Sequence, residues 1–423
     1  MANFFKSIFV LCVSFYVVCA KHELYDGHSL YEVIVKNEEQ AIFVNGLENQ
    51  IPIDVFVYAH PDRTGQILVP KDQKLHFEDT LKFMDVEYQI QVQNIKEQLE
   101  LEDKVLAEMA SKRNASRSST TGLSFDEIHR FQVIDEYLVR LANSYPNLVT
   151  VESAGRSLEG RDMKYLKIST TNFQDTRKPV VFLMSLLHGR EWVTLPATLY
   201  VNDIDWIILP VANPDGYEVT HTSNRFWRKN RRPGINSWCM GVDLNRNFDI
   251  FWGTASSSSV CSETFHGREA FSEPETQNIR RILSTYSNRI EMFIDLHSFG
   301  SMILYGYANG ELPPNALTVN LVGVNMAQAI DRVKWASKPN YVVGNIFHVL
   351  YAASGGSTDY GQAIGIPLAY TFELPAFRGI RGHRDGFLVQ PEFIRQAGFE
   401  TWEGIKVGAR FVRDIVSRKS DLP

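Results

Sequence analysis

The feature that most restricts the fold is a series of short apolar segments that each end where polar residues begin. These segments occupy residues 179–185, 206–212, 290–295 and 368–373. Segments of this kind are typical of strands that are buried on both faces of a sheet. Amphipathic helices are predicted at 126–142 and 391–416, and such helices can cover a sheet. The pattern predicts an α/β domain with a mixed, mostly parallel sheet flanked by helices.

The polar residues that follow or end these segments are candidates for one site. They are His188, Asn213, His297 and Glu373. Ligands of open α/β sheets bind beyond the carboxyl ends of the strands. We therefore expect these four residues to converge.

A smaller domain is predicted before this α/β region. Strand-like alternation occurs at 29–35 and 53–58, a helical turn is predicted at 77–84, a strand at 86–92 and a charged amphipathic helix at 99–109. Strands packed against a few helices make a compact α+β domain with an antiparallel sheet.

A polar, basic segment at 110–122 has no apolar periodicity and is interpreted as a linker. Arg113 and Arg117 lie in it, and a trypsin-like protease could cleave after either residue. A simple hinge is the alternative. The segment also holds a glycosylation sequon at Asn114, and such sequons are often unused.

Residues 1–20 have the pattern of a secretory signal peptide. Lys6 precedes an apolar run at 7–18, and small side chains at 18–20 suit cleavage. A membrane anchor or a buried strand is the alternative, but the run is short for a bilayer span and no other segment approaches its length. The sequence therefore predicts a secreted protein with no membrane partner.

Charge and cysteine usage agree with an extracellular globular protein. The net charge of the 423 residues is −6 and no long basic run occurs, which disfavours a nucleic-acid partner. Cys12 and Cys19 lie in the predicted signal, so Cys239 and Cys261 remain. One disulfide is their expected state in an oxidising compartment, with two free thiols or metal ligands as the alternative.

His188 and Glu191 stand three residues apart, and His297 lies far downstream. Imidazole nitrogens and carboxylate oxygens are good zinc ligands, and a catalytic zinc takes three protein ligands and leaves one position open. Alone, a His-x-x-Glu pair is a weak signal, because Glu191 could be a surface ion-pair residue and His297 a core histidine. Together the three residues predict one hydrolytic Zn²⁺ per chain.

Several separated motifs from about residue 24 to the C-terminus extend this pattern, namely His188-x-x-Glu191, Asn213-Pro-Asp-Gly216, Asn224-Arg-Phe-Trp-Arg-Lys229, Asp243-Leu-Asn-Arg-Asn247, His297-Ser298, Ser354-Gly-Gly-Ser357 and Thr371-Phe-Glu-Leu374. In this order they resemble the zinc metallocarboxypeptidases of the pancreatic A/B type, which are secreted as procarboxypeptidases. The resemblance implies that His188, Glu191 and His297 bind the metal.

The resemblance also implies the roles of the residues around the metal. Asp243 would hydrogen-bond the other nitrogen of His188 and fix its tautomer. Glu373 would be the general base, since a carboxylate that ends an apolar strand has a raised proton affinity. Arg228 would stabilise the oxyanion of the tetrahedral intermediate.

Further motif residues would bind the substrate. Asn245, Arg246 and Tyr351 match the clamp for the free α-carboxylate, which a guanidinium binds bidentately. Arg190 and Arg225 are the expected outer contacts, and Ser298 is a further expected substrate-binding residue. The resemblance also implies that Thr358 would lie at the base of the specificity pocket, where in this family an acidic residue selects C-terminal Lys or Arg and an apolar one selects hydrophobic residues. Threonine is neither, and burying Lys or Arg without a counter-ion is costly, so an A-like hydrophobic preference is expected.

One segment departs from the family pattern. Only 21 positions separate Trp192 from Asn213, and a family-like helix with its return loop needs roughly 15 to 20 residues more. A stunted helix is predicted at 193–201. The alternative function is therefore a catalytically impaired relative that binds peptide C-termini. A zinc deacylase of small N-acyl amino acids is a second rival, disfavoured by the pro-domain and the complete clamp.

The full expectation is a secreted, monomeric zymogen of a digestive zinc exopeptidase. It consists of a signal peptide at 1–20, an activation pro-domain and linker at 21–113, and a catalytic domain at 114–423. Its expected partners are peptides with a free C-terminus and an activating trypsin-like protease.

Overall fold

The computed structural model describes residues 21–115, 123–124, 127–198, 204–236, 239–377 and 386–420. The predicted signal at 1–20, Arg117 and most of the predicted linker lie outside the described residues. The described residues form two compact units. The first holds the residues up to Glu108 with Val219–Arg225, and the second holds most of the remainder.

The first unit contains an antiparallel four-stranded sheet in the order β2-β3-β1-β4. Its strands are β1 Ser29–Ile34, β2 Asp54–Val57, β3 Gly65–Val69 and β4 Glu87–Val92. Its helices are α1 Glu38–Gly46, α2 Lys74–Phe83 and α3 Ile95–Ala115, of which α3 continues past Glu108. Tyr31, Ile67 and Phe77 are fully buried and join the sheet to α2 in one core. This is the small α+β fold that the sequence predicts.

Two elements of this unit are missing from the sequence prediction. Strand β3 is buried along its whole length and so lacks the alternation of a half-buried strand. Helix α1 has no clear apolar face, but it begins at an N-cap, because the Asn37 side chain accepts a hydrogen bond from the backbone N–H of Gln40.

The predicted start of the linker at residue 110 is wrong by several residues. Helix α3 runs to Ala115 and so includes Arg113. Ala110, Lys112 and Arg113 are all strong helix formers, so a helix anchored by the buried Leu99 can propagate through this polar stretch.

The second unit contains an eight-stranded mixed sheet in the order β11-β10-β12-β9-β7-β8-β6-β5. Four of the seven neighbouring pairs are parallel, among them the central run β12-β9-β7-β8. The strands are β5 Val149–Arg156, β6 Asp162–Ile168, β7 Val180–Ser185, β8 Asp205–Leu209, β9 Ile290–Ser298, β10 Met302–Tyr305, β11 Val342–Asn345 and β12 Leu368–Leu374. The predicted fold class is confirmed.

Helices accompany this sheet in the second unit. They are α4 Phe131–Ser144, α5 Pro214–Thr222, α6 Pro274–Tyr286, α7 Ala316–Asp331, α8 Ile346–Val349, α9 Ser357–Ala363 and α10 Pro391–Ser420, and α5 continues past Glu218 into the first unit. Phe182 of β7 and Phe293 of β9 stack with their ring centroids 5.0 Å apart in the core. No helix among the described residues has both the length and the apolarity that a membrane span requires.

The connection from β7 to β8 is as short as the sequence indicates. A 3-10 helix at Trp192–Thr198 takes the place of the stunted helix predicted at 193–201, and residues 199–203 lie outside the described residues. Elsewhere in this unit, the predicted disulfide between Cys239 and Cys261 is present.

Glu400 of α10 provides a test of the packing in the second unit. One of its carboxylate oxygens accepts a hydrogen bond from Gln396 Nε2 at 3.0 Å, and the other is buried with no hydrogen-bond partner among the described residues. Burial raises the pKa of Glu400 from 4.5 to about 7, although Gln396, Lys338 and Lys334 oppose the rise. The folded state therefore favours the protonated carboxyl, and the stability that this provides is lost as the pH rises from about 5 through 7.

Glu400→Gln, which stays neutral, should raise the free energy of unfolding at pH 8 by on the order of 2–3 kcal/mol and should have little effect at pH 5. Urea titrations at the two pH values measure this difference. Glu392→Gln, at an exposed position of the same helix, is the matched control. A gain of equal size at both pH values would contradict the assignment.

Candidate metal centre and active site

The candidate site lies at the carboxyl ends of the central parallel strands. His188 and Glu191 lie three and six residues after the end of β7, and His297 is the second-last residue of β9. Glu373 of β12 is the register partner of His297. Because neighbouring parallel strands end at the same edge of a sheet, the polar residues at their ends come together there, as the sequence predicts.

Asn213, which follows β8, ties two segments of the site together. Its side-chain amide donates to the backbone carbonyls of Leu187 at 3.3 Å and Lys229 at 3.1 Å. Asn213 therefore holds the backbone next to His188 against the backbone next to Arg228. The backbones of Gly189 and Gly216 also lie close together, and only glycine permits this because a Cβ atom at Gly189 would lie 2.6 Å from the backbone of Gly216.

Three buried donor atoms converge at the strand ends. His188 Nδ1 lies 2.8 Å from one carboxylate oxygen of Glu191, His297 Nδ1 lies 3.0 Å from the other, and the two Nδ1 atoms are 3.2 Å apart. Ligand atoms of one tetrahedral zinc, bound at about 2.0–2.1 Å, lie about 3.3 Å from one another. These spacings suit a single zinc ion, and within the described residues this is the one group of its kind.

The carboxylate partners of the two histidines support the same conclusion. His188 Nε2 lies 3.0 Å from Asp243, and His297 Nε2 lies 2.9 Å from Asp295. A neutral imidazole that donates from Nε2 carries its lone pair on Nδ1. Two lone pairs and a carboxylate that face each other in a buried site repel unless a cation lies between them, so the donor set fits the predicted zinc.

The electrostatics of the site show the same demand for positive charge. Burial favours the neutral form of Glu191, but His188 and His297 hold its pKa well below the usual range. Burial also lowers the pKa of His297, yet Asp295 and Glu191 outweigh it and the pKa lies well above the ordinary value.

Glu373 carries its carboxylate beside this group. Burial raises the pKa of Glu373 from 4.5 to about 8, with a further rise from Glu191, while His297 and Arg228 oppose the shift. A carboxyl group with a pKa near neutrality can both accept and return a proton, which is what a general base that later acts as an acid requires.

Arg228 is held by Asp243, which also contacts His188. The guanidinium donates to Asp243 Oδ2 from Nε at 3.1 Å and from Nη2 at 2.8 Å. Burial is unfavourable for both charges, but each stabilises the other, so the pKa of Asp243 lies well below its usual value and that of Arg228 lies above it. One carboxylate thus orients a metal ligand and a fixed cation.

The three residues of the predicted carboxylate clamp lie close to one another. Arg246 Nη2 donates to the hydroxyl oxygen of Tyr351 at 3.3 Å. Asn245 is adjacent in sequence, and its side-chain oxygen accepts from the backbone N–H of Ser357 at 2.9 Å. Arg246 is buried, so its charge acts in a medium where it can bind a carboxylate strongly.

Thr358 is buried at the start of α9, and its hydroxyl lies 2.9 Å from that of Thr371 in β12. Leu304 of β10 is the register partner of Thr371. Neither threonine can carry a charge, so this pair offers no counter-ion to a cationic side chain. Ser298 is buried at the end of β9, where its register partner is Leu374.

Arg190 is buried beside an aromatic ring that the sequence prediction missed. Its guanidinium carbon lies 4.4 Å from the ring centroid of Phe387, and Nη1 donates to the carbonyl oxygen of Phe226 at 3.4 Å. Phe299 packs edge-on against the same ring at 5.0 Å. No local signal distinguishes Phe387 from other aromatic residues in the sequence.

Asp295 was also missed, although a signal for it exists. Residues two apart in a strand point to the same face, so an acidic residue two positions before a metal-binding histidine can reach that histidine. Asp295 stands at this position before His297 in an otherwise mostly apolar strand.

Comparison with known proteins finds that this chain is similar to carboxypeptidases. The family model described as zinc carboxypeptidase matches residues 134–203 and 196–404, and that described as carboxypeptidase activation peptide matches residues 31–102. A carboxypeptidase B of Helicoverpa zea is 40% identical, covering 97% of this chain and 99% of the relative. A carboxypeptidase A2 of Mus musculus is 32% identical, covering 94% and 96%.

A solved structure agrees with these matches. The carboxypeptidase A of Helicoverpa armigera is 58% identical and covers 93% of this chain and 99% of its own, with a TM-score of 0.89.

The same comparisons mark the short β7–β8 connection. The first family model matches in two pieces that meet at residues 196–203, where the chain departs from the pattern. The alignment with the Helicoverpa zea protein has 431 positions, more than the 423 residues of this chain, so the relative contains residues that this chain lacks.

Proposed function

Because this chain belongs to the zinc carboxypeptidase family, we propose that it is the zymogen of a secreted, digestive exopeptidase that removes single hydrophobic residues from peptide C-termini. The observation that carries the proposal is the buried group of His188, Glu191 and His297, which lies next to Glu373. The enzyme is a zinc-dependent metallocarboxypeptidase that acts on peptides.

In the proposed mechanism, Glu373 moves the proton. His188, Glu191 and His297 would hold the zinc ion, which would supply a water molecule with a pKa lowered to about 7 and a Lewis acid for the scissile carbonyl group. Glu373 accepts the proton of the attacking water and then delivers it to the nitrogen of the departing amino acid. Arg228, fixed by Asp243, stabilises the negative charge that develops on the carbonyl oxygen.

The proposed clamp explains why the reaction occurs at a chain end. Asn245, Arg246 and Tyr351 would bind the α-carboxylate of the last residue, with Arg190 and Ser298 contacting the substrate further out. An internal peptide bond has no carboxylate in this place, so it would lack the ion pair with the buried Arg246. Binding energy at the clamp thereby selects the terminal bond.

The hydrophobic preference rests on Thr358 and Thr371. Their hydroxyl groups bond to each other, and neither offers a negative charge to a Lys or Arg side chain. Relatives carry both designations, since the Helicoverpa zea protein is named carboxypeptidase B and the Helicoverpa armigera protein carboxypeptidase A. The uncharged threonine pair favours A-like specificity for this chain.

Activation is proposed to follow cleavage after Arg113 or Arg117 by a trypsin-like protease. The activation-peptide model matches residues 31–102 and the zinc carboxypeptidase model matches from residue 134. Both candidate cleavage sites lie between these two matches. We place the signal peptide at 1–20, the pro-domain and linker at 21–113, and a monomeric catalytic domain at 114–423. The Cys239–Cys261 disulfide suits secretion.

The direct test is an assay of trypsin-treated protein on peptides that end in Phe, Leu, Lys or Arg, with and without a chelator. The proposal expects faster release of Phe and Leu and no release with the chelator. Faster release of Lys or Arg would overturn the specificity, and turnover that resists the chelator would overturn the metal mechanism.

Thr358→Asp should change the specificity. The new carboxylate would pair with a C-terminal Lys or Arg and would leave an unpaired charge beside Phe, so the ratio of kcat/KM for Arg over Phe should rise by roughly 10²-fold. Thr358→Val, which removes the hydroxyl without adding charge, is the control and should keep the hydrophobic preference. An unchanged ratio in the aspartate variant would remove Thr358 from the specificity pocket.

A catalytically impaired relative that binds peptide C-termini is the second candidate, and the short β7–β8 connection favours it. Activated protein that contains stoichiometric zinc, binds a C-terminal peptide and releases no amino acid would establish this candidate.

A further inference from the structure

Asp295 is a buried carboxylate whose presence in β9 needs an explanation. It lies in the interior of the sheet, with Leu296 and Ile294 on either side, and it is 0% exposed. Burying a carboxylate among apolar residues is strongly unfavourable unless partners compensate for its lost hydration. Its partners therefore show what the residue does.

Two partners converge on one oxygen of Asp295. Oδ2 lies 2.9 Å from His297 Nε2 and also accepts a hydrogen bond from the hydroxyl of Ser357. Oδ1 is buried and has no hydrogen-bond partner among the described residues. The carboxylate therefore faces His297 and Ser357, the first residue of α9. No arginine or lysine side chain is paired with it in the described part of the chain.

The contact with Nε2 determines what His297 can do at Nδ1. An imidazole that donates its Nε2 proton to a carboxylate exposes a lone pair on Nδ1, and Nδ1 is the atom that lies 3.0 Å from Glu191 and 3.2 Å from His188. The side-chain amide of Asn245 also approaches His297 Nε2, at 3.5 Å, but it lies at the limit of hydrogen-bond distance. Asp295 is the closer partner.

The same relation exists at the other histidine. Asp243 lies 3.0 Å from His188 Nε2 and leaves His188 Nδ1 directed at Glu191. The two aspartates differ in their other contacts, because Asp243 is neutralised by Arg228 whereas Asp295 is bonded to the neutral Ser357. Asp295 therefore adds a net negative charge to the metal site, which Asp243 does not.

We propose that Asp295 is a positioning residue for the metal ligand His297, and that Ser357 holds Asp295 in place and so links the metal site to the start of α9. This inference rests on the zinc site of the proposed function. Asp295, which lies outside the sequence motifs, thereby orients the ligand His297 and supplies part of the negative charge that attracts the cation. Since Thr358 follows Ser357 directly, the link also joins the metal site to the specificity pocket.

The test is the zinc dissociation constant of the full-length protein, measured by competition with a chromophoric chelator. Asp295→Asn keeps the size of the side chain and removes its charge, so it should raise the dissociation constant for zinc by roughly 10- to 100-fold. Ser357→Ala should raise it by a smaller factor. The visible spectrum of the cobalt-substituted protein should change in both variants, because the geometry around His297 changes.

Asp205→Asn is the matched control. Asp205 is also a fully buried carboxylate in the same sheet, but it pairs with Lys178 at 2.8 Å and Arg289 at 2.7 Å and does not contact the metal ligands. This variant should lower thermal stability and leave zinc affinity unchanged. It separates general damage to the sheet from an effect on the metal site.

A dissociation constant for Asp295→Asn within twofold of the wild-type value would overturn the role of Asp295. An effect in Asp295→Asn with none in Ser357→Ala would overturn the role of Ser357. If the wild-type protein itself binds no zinc, the proposed function fails, whereas tight wild-type binding with unchanged variants refutes this inference alone.

Discussion

Glu373→Gln is expected to lower kcat by about 10³-fold or more while the protein keeps its zinc. The amide is nearly the same size as the carboxyl group but cannot accept the proton of the attacking water or return it to the leaving nitrogen. Glu373 is not one of the three residues that form the metal-binding group, so metal content should stay at the wild-type level.

The measurement combines single-turnover kinetics of the activated variant with elemental analysis of the same sample. Glu392→Gln, far along the chain on the exposed side of α10, controls for the general effect of replacing a glutamate. A zinc-loaded Glu373→Gln protein with kcat within tenfold of wild type would show that another group moves the proton.

Glu191→Gln is expected to weaken zinc binding by about 10³-fold and to abolish turnover at ordinary zinc concentrations. Zinc sites in proteins bind with about 10–16 kcal/mol, and removal of one of three protein ligands should cost several kcal/mol of that energy. The two histidines remain, held by Asp243 and Asp295, so some zinc affinity persists.

Activity of the Glu191→Gln variant should therefore return in part when zinc is added at high concentration, and equilibrium dialysis measures the shift. Glu373→Gln serves as the contrast, since its activity should not recover with added zinc. Wild-type zinc affinity in the Glu191→Gln variant would mean that Glu191 is not a ligand.

Much of the fold follows from patterns that physical chemistry ties closely to structure. The central strands β7, β8, β9 and β12 were predicted because buried parallel strands need continuous apolar runs. Their polar ends then had to meet at one edge of the sheet, which places His188, His297 and Glu373 together without any knowledge of the loops.

Some of the missed elements have sequences that carry little local pattern. Strands β10 and β11 are only four residues long, too short for a periodic signal, and they are defined by pairing with β12 and with each other. Phe387 reaches Arg190 through tertiary packing between segments that are distant in sequence. Long-range packing of this kind cannot be deduced from spacing along the chain.

Asp295 shows the opposite case, in which the signal was present but was not used. Its position two residues before His297 places it on the same side of β9, and an acidic residue in an apolar strand implies a partner. Only the structure identifies Ser357 as the second partner, because α9 and β9 are distant in sequence.

The most direct test of the whole account is a time-resolved mass analysis of a long peptide with a free C-terminus, and of its amidated form, after treatment of the protein with trypsin. The account predicts that single residues leave the free-acid peptide in order from its C-terminus, that the amidated peptide stays intact, and that a chelator stops the release until zinc is restored. Internal cleavage, or equal hydrolysis of the two peptides, would contradict it.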